Sequence, residues 1–117
     1  MAHRTLQNYL RIHRRRAGFS QQEVAFLLGV LSKGKVSRYE HYTRQPRLHA
    51  VFAYELIFGV PARDLFAGLF QMIERRTINR AVLLASRLRQ GKAGRVTARK
   101  LELLDAIIVA SNKRHKP

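Results

Sequence analysis

The sequence contains no cysteine and no tryptophan, only three prolines, and only seven Asp and Glu residues among 117. Without cysteine there are no disulfides and no thiolate metal ligands, which fits a reducing compartment. Charges interrupt every long apolar window, and the first residues lack the apolar stretch of a signal peptide. We therefore expect a cytoplasmic protein without a membrane segment.

Positive charge dominates what is present, with 23 Lys and Arg residues and a formal net charge of +16. A charge of this size favours a polyanionic partner, with nucleic acid ahead of an anionic membrane surface. The apolar content of 46% is nevertheless sufficient for a packed core. The chain is therefore predicted to fold and not to be a disordered polycation.

The few carboxylates also argue against an enzyme. Most of them have a capping, pairing or surface explanation, and no Ser-His-Asp spacing or Gly-rich phosphate loop is present. The five histidines show no metal-binding spacing. We predict no catalytic residue, no metal and no cofactor.

Apolar periodicity and helix-end signals predict an all-α fold with five helices in the first seventy residues. The first would run from Thr5 to Ala17. Ser20 and Glu23 form a Ser-x-x-Glu capping box at the start of the second. Residues 47–58 are apolar nearly all round, as in a helix enclosed by others, and Pro61 suits the first position of a short fifth helix.

Three segments, SQQEVAFLLGV, VSRYE and QPRLHAVFAYELIFGVPARDLF, together resemble the Cro and phage-repressor (Xre-like) helix-turn-helix family, over about residues 6 to 66. Ala25 is small where the second and third helices cross, and Gly29 suits a left-handed turn. Val36 and Tyr39 would hold the angle between the helices. The resemblance implies a sequence-specific double-stranded DNA-binding regulator, a dimeric repressor of bacterial or phage origin on a palindromic operator.

In that family the third helix enters the major groove, which assigns roles to individual residues. The resemblance implies base contacts from Lys33, Gly34, Lys35 and Arg38. It implies phosphate contacts from Gln21, Gln22, Ser37, Tyr42, Thr43 and Arg44. Arg14 and Glu40 match a structural ion pair between the first and third helices. The alternatives are a solvated cationic face on the third helix and an ordinary exposed loop at residues 42–44.

The spacing between Gly29 and Val36 exceeds the commonest family spacing by one residue. Either Leu31 lengthens the turn, or the third helix, which Ser32 can cap, begins one residue later. Gly34 would then lie in the first helical turn. There it costs roughly 1 kcal/mol relative to alanine, but it would let the backbone approach DNA closely.

Residues 71–117 are predicted to form a helical hairpin with a basic tail, following a DNA-binding domain at residues 1–70. Thr97 would cap its second helix. The apolar stripes need a partner, and we expect a second subunit to supply it. The candidates for this dimer interface are Val82, Leu88, Leu101, Leu104 and Ile108. Four alternatives stay open: packing of the two stripes on each other, packing on the first domain, an antitoxin that holds a toxin through these helices, and a general basic RNA- or ribosome-binding protein.

Overall fold

The computed structural model describes residues 5–115 and is all-helical over that range, which confirms the predicted fold class. Its helices are α1 (Leu10–Ala17), α2 (Gln21–Leu28), α3 (Lys33–Glu40), α4 (Leu48–Phe58), α5 (Ala62–Leu65), α6 (Ala67–Gln90) and α7 (Arg95–Arg114). The last two residues of the predicted basic tail lie outside the described residues. Within 5–115, no helix is both long enough and apolar enough to cross a membrane.

The chain divides into two compact units, residues 1–70 and residues 71–117. The division falls inside α6, so the first unit contains α1 to α5 and the first turn of α6. In the first unit, each of the five helices α1 to α5 contributes at least one large apolar side chain that is no more than 1% exposed. These side chains are Leu10, Val24, Val36, Tyr54 and Leu65. Burial of these five apolar groups in a single cluster orients α2 and α3 relative to each other.

The start of α1 differs from the prediction, because the helix begins at Leu10 and not at Thr5. The preceding segment instead bonds to the first turn of α6, where the Gly68 amide donates to the Leu6 carbonyl at 2.9 Å. Asn8 then substitutes for a helix cap, since its side-chain oxygen accepts from the Leu10 amide at 3.2 Å. Tertiary backbone hydrogen bonds therefore outweigh helical periodicity at residues 5–9.

Helix α4 is not enclosed on all sides, which corrects the interpretation of residues 47–58. Tyr54 is its one buried residue, whereas Leu48, Phe52 and Leu56 form an exposed row at intervals of four residues. The small first unit covers only one side of the helix, through α1, α2 and α5. An apolar sequence all round a helix does not show which face is buried.

The predicted helix caps are only partly correct. The capping box is confirmed, with the Glu23 amide donating to Ser20 Oγ at 3.0 Å and the Ser20 amide donating to Glu23 Oε1 at 2.8 Å. Pro61 precedes α5 as its N-cap and does not occupy the first helical position. Thr97 is not a cap, because α7 begins at Arg95 and the Thr97 hydroxyl donates to the Lys92 carbonyl.

The second unit is an antiparallel pair formed by α7 and the part of α6 from Gln71. Two ion pairs join the helices: Arg89, near the end of α6, pairs with Asp105 at the middle of α7, and Arg114, at the end of α7, pairs with Glu74. Each helix has one row of buried and half-buried residues at intervals of three or four. On α6 these are Glu74, Ile78, Ala81, Ala85 and Leu88, and on α7 they are Thr97, Leu101, Leu104, Ile108 and Ser111.

These inward rows contain four of the five residues predicted for a dimer interface. Leu88, Leu101, Leu104 and Ile108 are half-buried within the single chain, and only Val82 is exposed, at 50%. The reason is geometric: consecutive helical residues differ by about 100°, so the side chain beside a buried position such as Ala81 points away from it. The dimer interface stays a prediction, and the more exposed apolar residues of the hairpin are also available to a second subunit.

Candidate nucleic-acid interface

The connection between α2 and α3 places the start of α3 at the surface. Gly29 ends α2 in the left-handed conformation, at φ 74°, and the Val30 amide donates to the Ala25 carbonyl at 3.0 Å. Helix α3 then begins at Lys33, with Ser32 in the N-cap position. The extra residue therefore lies in the turn, as Leu31, and the Ser32 hydroxyl makes no capping bond to the first turn of α3.

Helix α3 has one buried face and one cationic face. Val36 and Tyr39 are buried in the core of the first unit. On the other side, Lys33 and Arg38 are exposed and Lys35 is half-exposed. Among residues 5–115, no side chain forms an ion pair or hydrogen bond with any of these three cations. They are available to an external acceptor.

A surface groove brings one more cation to the same side. It is lined by the connection Gly29 to Ser32 together with Lys35, Arg38 and Arg44. The backbone explains the position of Arg44, because α3 ends in a turn where Tyr42 adopts the left-handed conformation, at φ 65°. The amides of Thr43 and Arg44 then donate to the Arg38 carbonyl at 3.0 and 3.3 Å.

Arg14 and Glu40 lie together and join α1 to the end of α3. Arg14 Nε donates to Glu40 Oε2 at 2.6 Å and Nη2 to Oε1 at 3.1 Å, while Nη1 donates to the Phe19 carbonyl at 3.0 Å. The Glu40 side chain is 1% exposed and that of Arg14 is 12% exposed. The hydrogen bond to Glu40 raises the pKa of Arg14 above its usual value. This pair joins α3 to α1 and is largely shielded from solvent.

Of the six predicted phosphate contacts, four have a partner within the chain. Gln21 Nε2 donates to Glu40 Oε1 at 3.1 Å, and the Thr43 hydroxyl donates to the Arg38 carbonyl at 3.2 Å. The Ser37 hydroxyl lies 3.3 Å from Nδ1 of His41, and the Tyr42 hydroxyl lies 3.5 Å from the Asn8 carbonyl. Gln22 and Arg44 are exposed, and no side-chain partner lies within the described range.

The sequence did not identify two residues that the structure makes important. Leu31 is fully exposed and shares the groove with Lys35, Arg38 and Arg44. Asn8 is buried, and its Nδ2 donates to the Tyr39 carbonyl at 3.0 Å, which ties the start of α1 to α3. The extra residue in the turn was the one available signal for Leu31. Nothing in the local pattern indicated the long-range bond of Asn8.

Comparison with known families agrees with this geometry. A family model described as helix-turn-helix matches residues 10–65, which are the first residue of α1 and the last residue of α5. Residues 10–65 of the chain belong to the Cro/C1-type, Xre-like helix-turn-helix family. No curated protein and no solved structure shows significant similarity to the chain.

Membership of the Xre-like family confirms the resemblance seen in the sequence and identifies a DNA-binding helix-turn-helix regulator. In this motif the second helix of the pair enters the major groove with its N-terminal residues at the base edges. Here that helix is α3, and its cationic face is the candidate interface. Within the described range, no group of His, Asp and Glu residues could hold a metal ion.

Proposed function

We propose that the protein is a cytoplasmic repressor that binds a palindromic DNA operator as a homodimer. The observation that carries the proposal is the unpaired cationic face of α3 inside an Xre-like domain. Arg38, Lys35 and Lys33 would donate to base edges, above all to guanine O6 and N7. Arg44 and Gln22 would position the domain through phosphate contacts, which carry little sequence information.

We further propose that Leu31 contacts a thymine. A fully exposed leucine in this groove would enter the major groove beside Lys35 and Arg38. The thymine C5-methyl is the apolar group that the major groove presents, and contact with it excludes water from both surfaces. The lengthened turn would therefore add specificity for one base.

Selection of bound sequences from a random duplex pool tests the main proposal. We expect one enriched site, and we expect Arg38→Ala to cost about 1 to 3 kcal/mol on that site and to relax preference at one position. Arg44→Ala should weaken all sequences alike. Arg63→Ala, at an exposed cation of α5, is the matched control. Failure to enrich any duplex, or equal affinity for RNA, would contradict sequence-specific DNA binding.

Dimerisation would use a face of the hairpin outside its inward rows. On α6, Ile73 and Leu84 lie on one side of the inward row and Arg89 lies on the other. In the same way on α7, Leu103 and Ile107 lie on one side of the inward row and Asp105 on the other. Because Arg89 pairs with Asp105 on one face of the hairpin, the four apolar residues border the other face. All four are at least 43% exposed. Two copies could bury these rows against each other.

Light scattering over a concentration series tests this dimer. Leu84→Asp and Ile107→Asp should shift the full chain to a monomer, whereas Val82→Asp, at an exposed valine of α6 outside both rows, should not. The selected operator should contain two half-sites about one helical turn apart. Expression of the protein should lower transcription from a promoter that overlaps this operator. A monomeric wild-type chain would rule out the proposed dimer but would not contradict the proposal that the protein binds DNA.

A further inference from the structure

Positive charge is concentrated outside the helix-turn-helix domain. Residues 71–117 carry twelve Lys and Arg against three Asp and Glu, a formal charge of +9, whereas residues 1–70 carry +7. The longer unit is thus the less basic one. Burial of a dimer interface does not require this charge, because like charges on two identical subunits repel each other. The charge of the second unit needs another explanation.

Ion pairs within the second unit neutralise little of its positive charge. Glu74 is bound to Arg114 and His115, and Asp105 pairs with Arg89. Glu102 is therefore the one acidic residue among the described residues of the unit that forms no ion pair. It cannot balance the remaining cations. Most of the Lys and Arg residues on α6 and α7 form no ion pair within the described part of the hairpin.

Three of these arginines form a row on α6. Arg76, Arg80 and Arg87 are all exposed, and their spacings of four and seven residues place them on one side of the helix. No described residue forms an ion pair or side-chain hydrogen bond with any of them. The row extends over roughly 16 Å, a length along which duplex DNA carries on the order of ten phosphates. Guanidinium groups bind phosphate oxygens in bidentate geometry.

We propose that the hairpin is itself a phosphate-binding surface for duplex DNA, centred on Arg76, Arg80 and Arg87. It acts in addition to α3 and contacts the DNA backbone without sequence preference. This role goes beyond operator recognition and does not depend on the existence of an operator. Duplex DNA is favoured over an anionic membrane because residues 10–65 match a DNA-binding family, so the same chain already meets duplex DNA.

The test measures binding of the full chain to a random-sequence duplex as a function of salt. The background variant Lys33→Ala/Lys35→Ala/Arg38→Ala removes the cations of α3, so that the remaining affinity reports other surfaces. In this background, Arg76→Gln/Arg80→Gln/Arg87→Gln should reduce the slope of log affinity against log salt by about two to three, since each phosphate contact contributes roughly 0.9. Glutamine is a good helix former, and circular dichroism checks that α6 is retained.

The matched control is Lys92→Gln/Arg95→Gln/Arg99→Gln, which removes the same charge from the turn of the hairpin and the start of α7. The proposal expects this control to change the slope by less than the arginine row does. Equal changes from both triples would show diffuse attraction and overturn the assignment to the row. An unchanged slope would overturn the proposal as a whole. Dependence on the row for duplex RNA or phosphatidylserine vesicles, but not for DNA, would assign the surface to that partner instead.

Discussion

Removal of the Glu40 carboxylate provides the sharpest test of how α3 is held in place. Glu40 accepts two hydrogen bonds from Arg14 and one from Gln21, and its side chain is almost completely buried. Glu40→Ala would leave the guanidinium of Arg14 without its counter-charge in a site that water reaches poorly. Breaking a buried pair from one side costs about 3 to 5 kcal/mol.

The expected loss lies at the lower end of this range. Arg14 keeps some solvent contact and retains its bond to the Phe19 carbonyl, so about 3 kcal/mol is a reasonable expectation. A small domain typically has only 5 to 15 kcal/mol of stability, so a loss of this size lowers the melting temperature markedly. DNA binding should fall mainly because less protein is folded.

Urea denaturation of the wild type, Glu40→Ala, Arg14→Met and the double variant measures the coupling between the two side chains. Arg15→Met, at an exposed arginine of α1, controls for loss of charge on that helix. The losses in free energy of unfolding of the two single variants should add up to much more than the loss in the double variant. A coupling energy below about 0.5 kcal/mol would refute the reasoning, because distant independent sites already add within that error.

Three further substitutions test other parts of the structure. Leu31→Ala should weaken operator binding about fourfold, since one buried methyl group is worth about 0.8 kcal/mol. The same variant should abolish the loss of affinity that follows when the contacted thymine is replaced by deoxyuridine. If that loss of affinity is unchanged in Leu31→Ala, the contact is excluded. Gly34→Ala should raise the free energy of unfolding by roughly 1 kcal/mol, because alanine is the better helix former. The added Cβ has room, since its nearest atoms lie at 3.5 and 3.6 Å. The same variant should weaken binding in a mobility-shift assay if the backbone approaches DNA there. Hydrogen bonds from His115 and Arg114 lower the pKa of Glu74 from 4.5 to about 2, so its stabilising contribution is present above pH 4.5 and lost as the pH falls toward 2. Glu74→Gln should flatten the acid side of a thermal-denaturation profile, whereas Glu102→Gln should not.

Local signals in the sequence were sufficient for most of the first unit. The capping box of Ser20 and Glu23 and the glycine that ends α2 depend on residues within a few positions of each other, and both form as predicted. Such short-range patterns are determined by backbone geometry and nearby hydrogen bonds. The start of α1 was wrong for the opposite reason, because a partner sixty residues away in sequence, Gly68, competes for the same backbone groups.

Side-chain direction could not be predicted from the sequence. The intended phosphate ligand Gln21 instead donates to Glu40, a residue that the sequence had already assigned to Arg14. A family motif gives the position of a residue on a helix but not the rotamer that its neighbours favour. Rotation of the Gln21 amide toward a phosphate would remove one of three donors from Glu40, so a DNA phosphate and Glu40 would compete for the same donor.

This shared donor, the Gln21 side-chain amide, would link the stability of the domain to its contact with DNA. If Gln21 turns outward in the complex, Glu40 keeps its two bonds from Arg14 and loses only the weaker neutral donor. Gln21→Ala should then cost less in stability than Arg14→Met, while it still weakens binding to all duplexes alike because the lost contact is to a phosphate. Fluorescence anisotropy on operator and random duplexes, combined with urea denaturation, separates the two effects. A variant with unchanged affinity but reduced stability would assign Gln21 to the support of Glu40 alone.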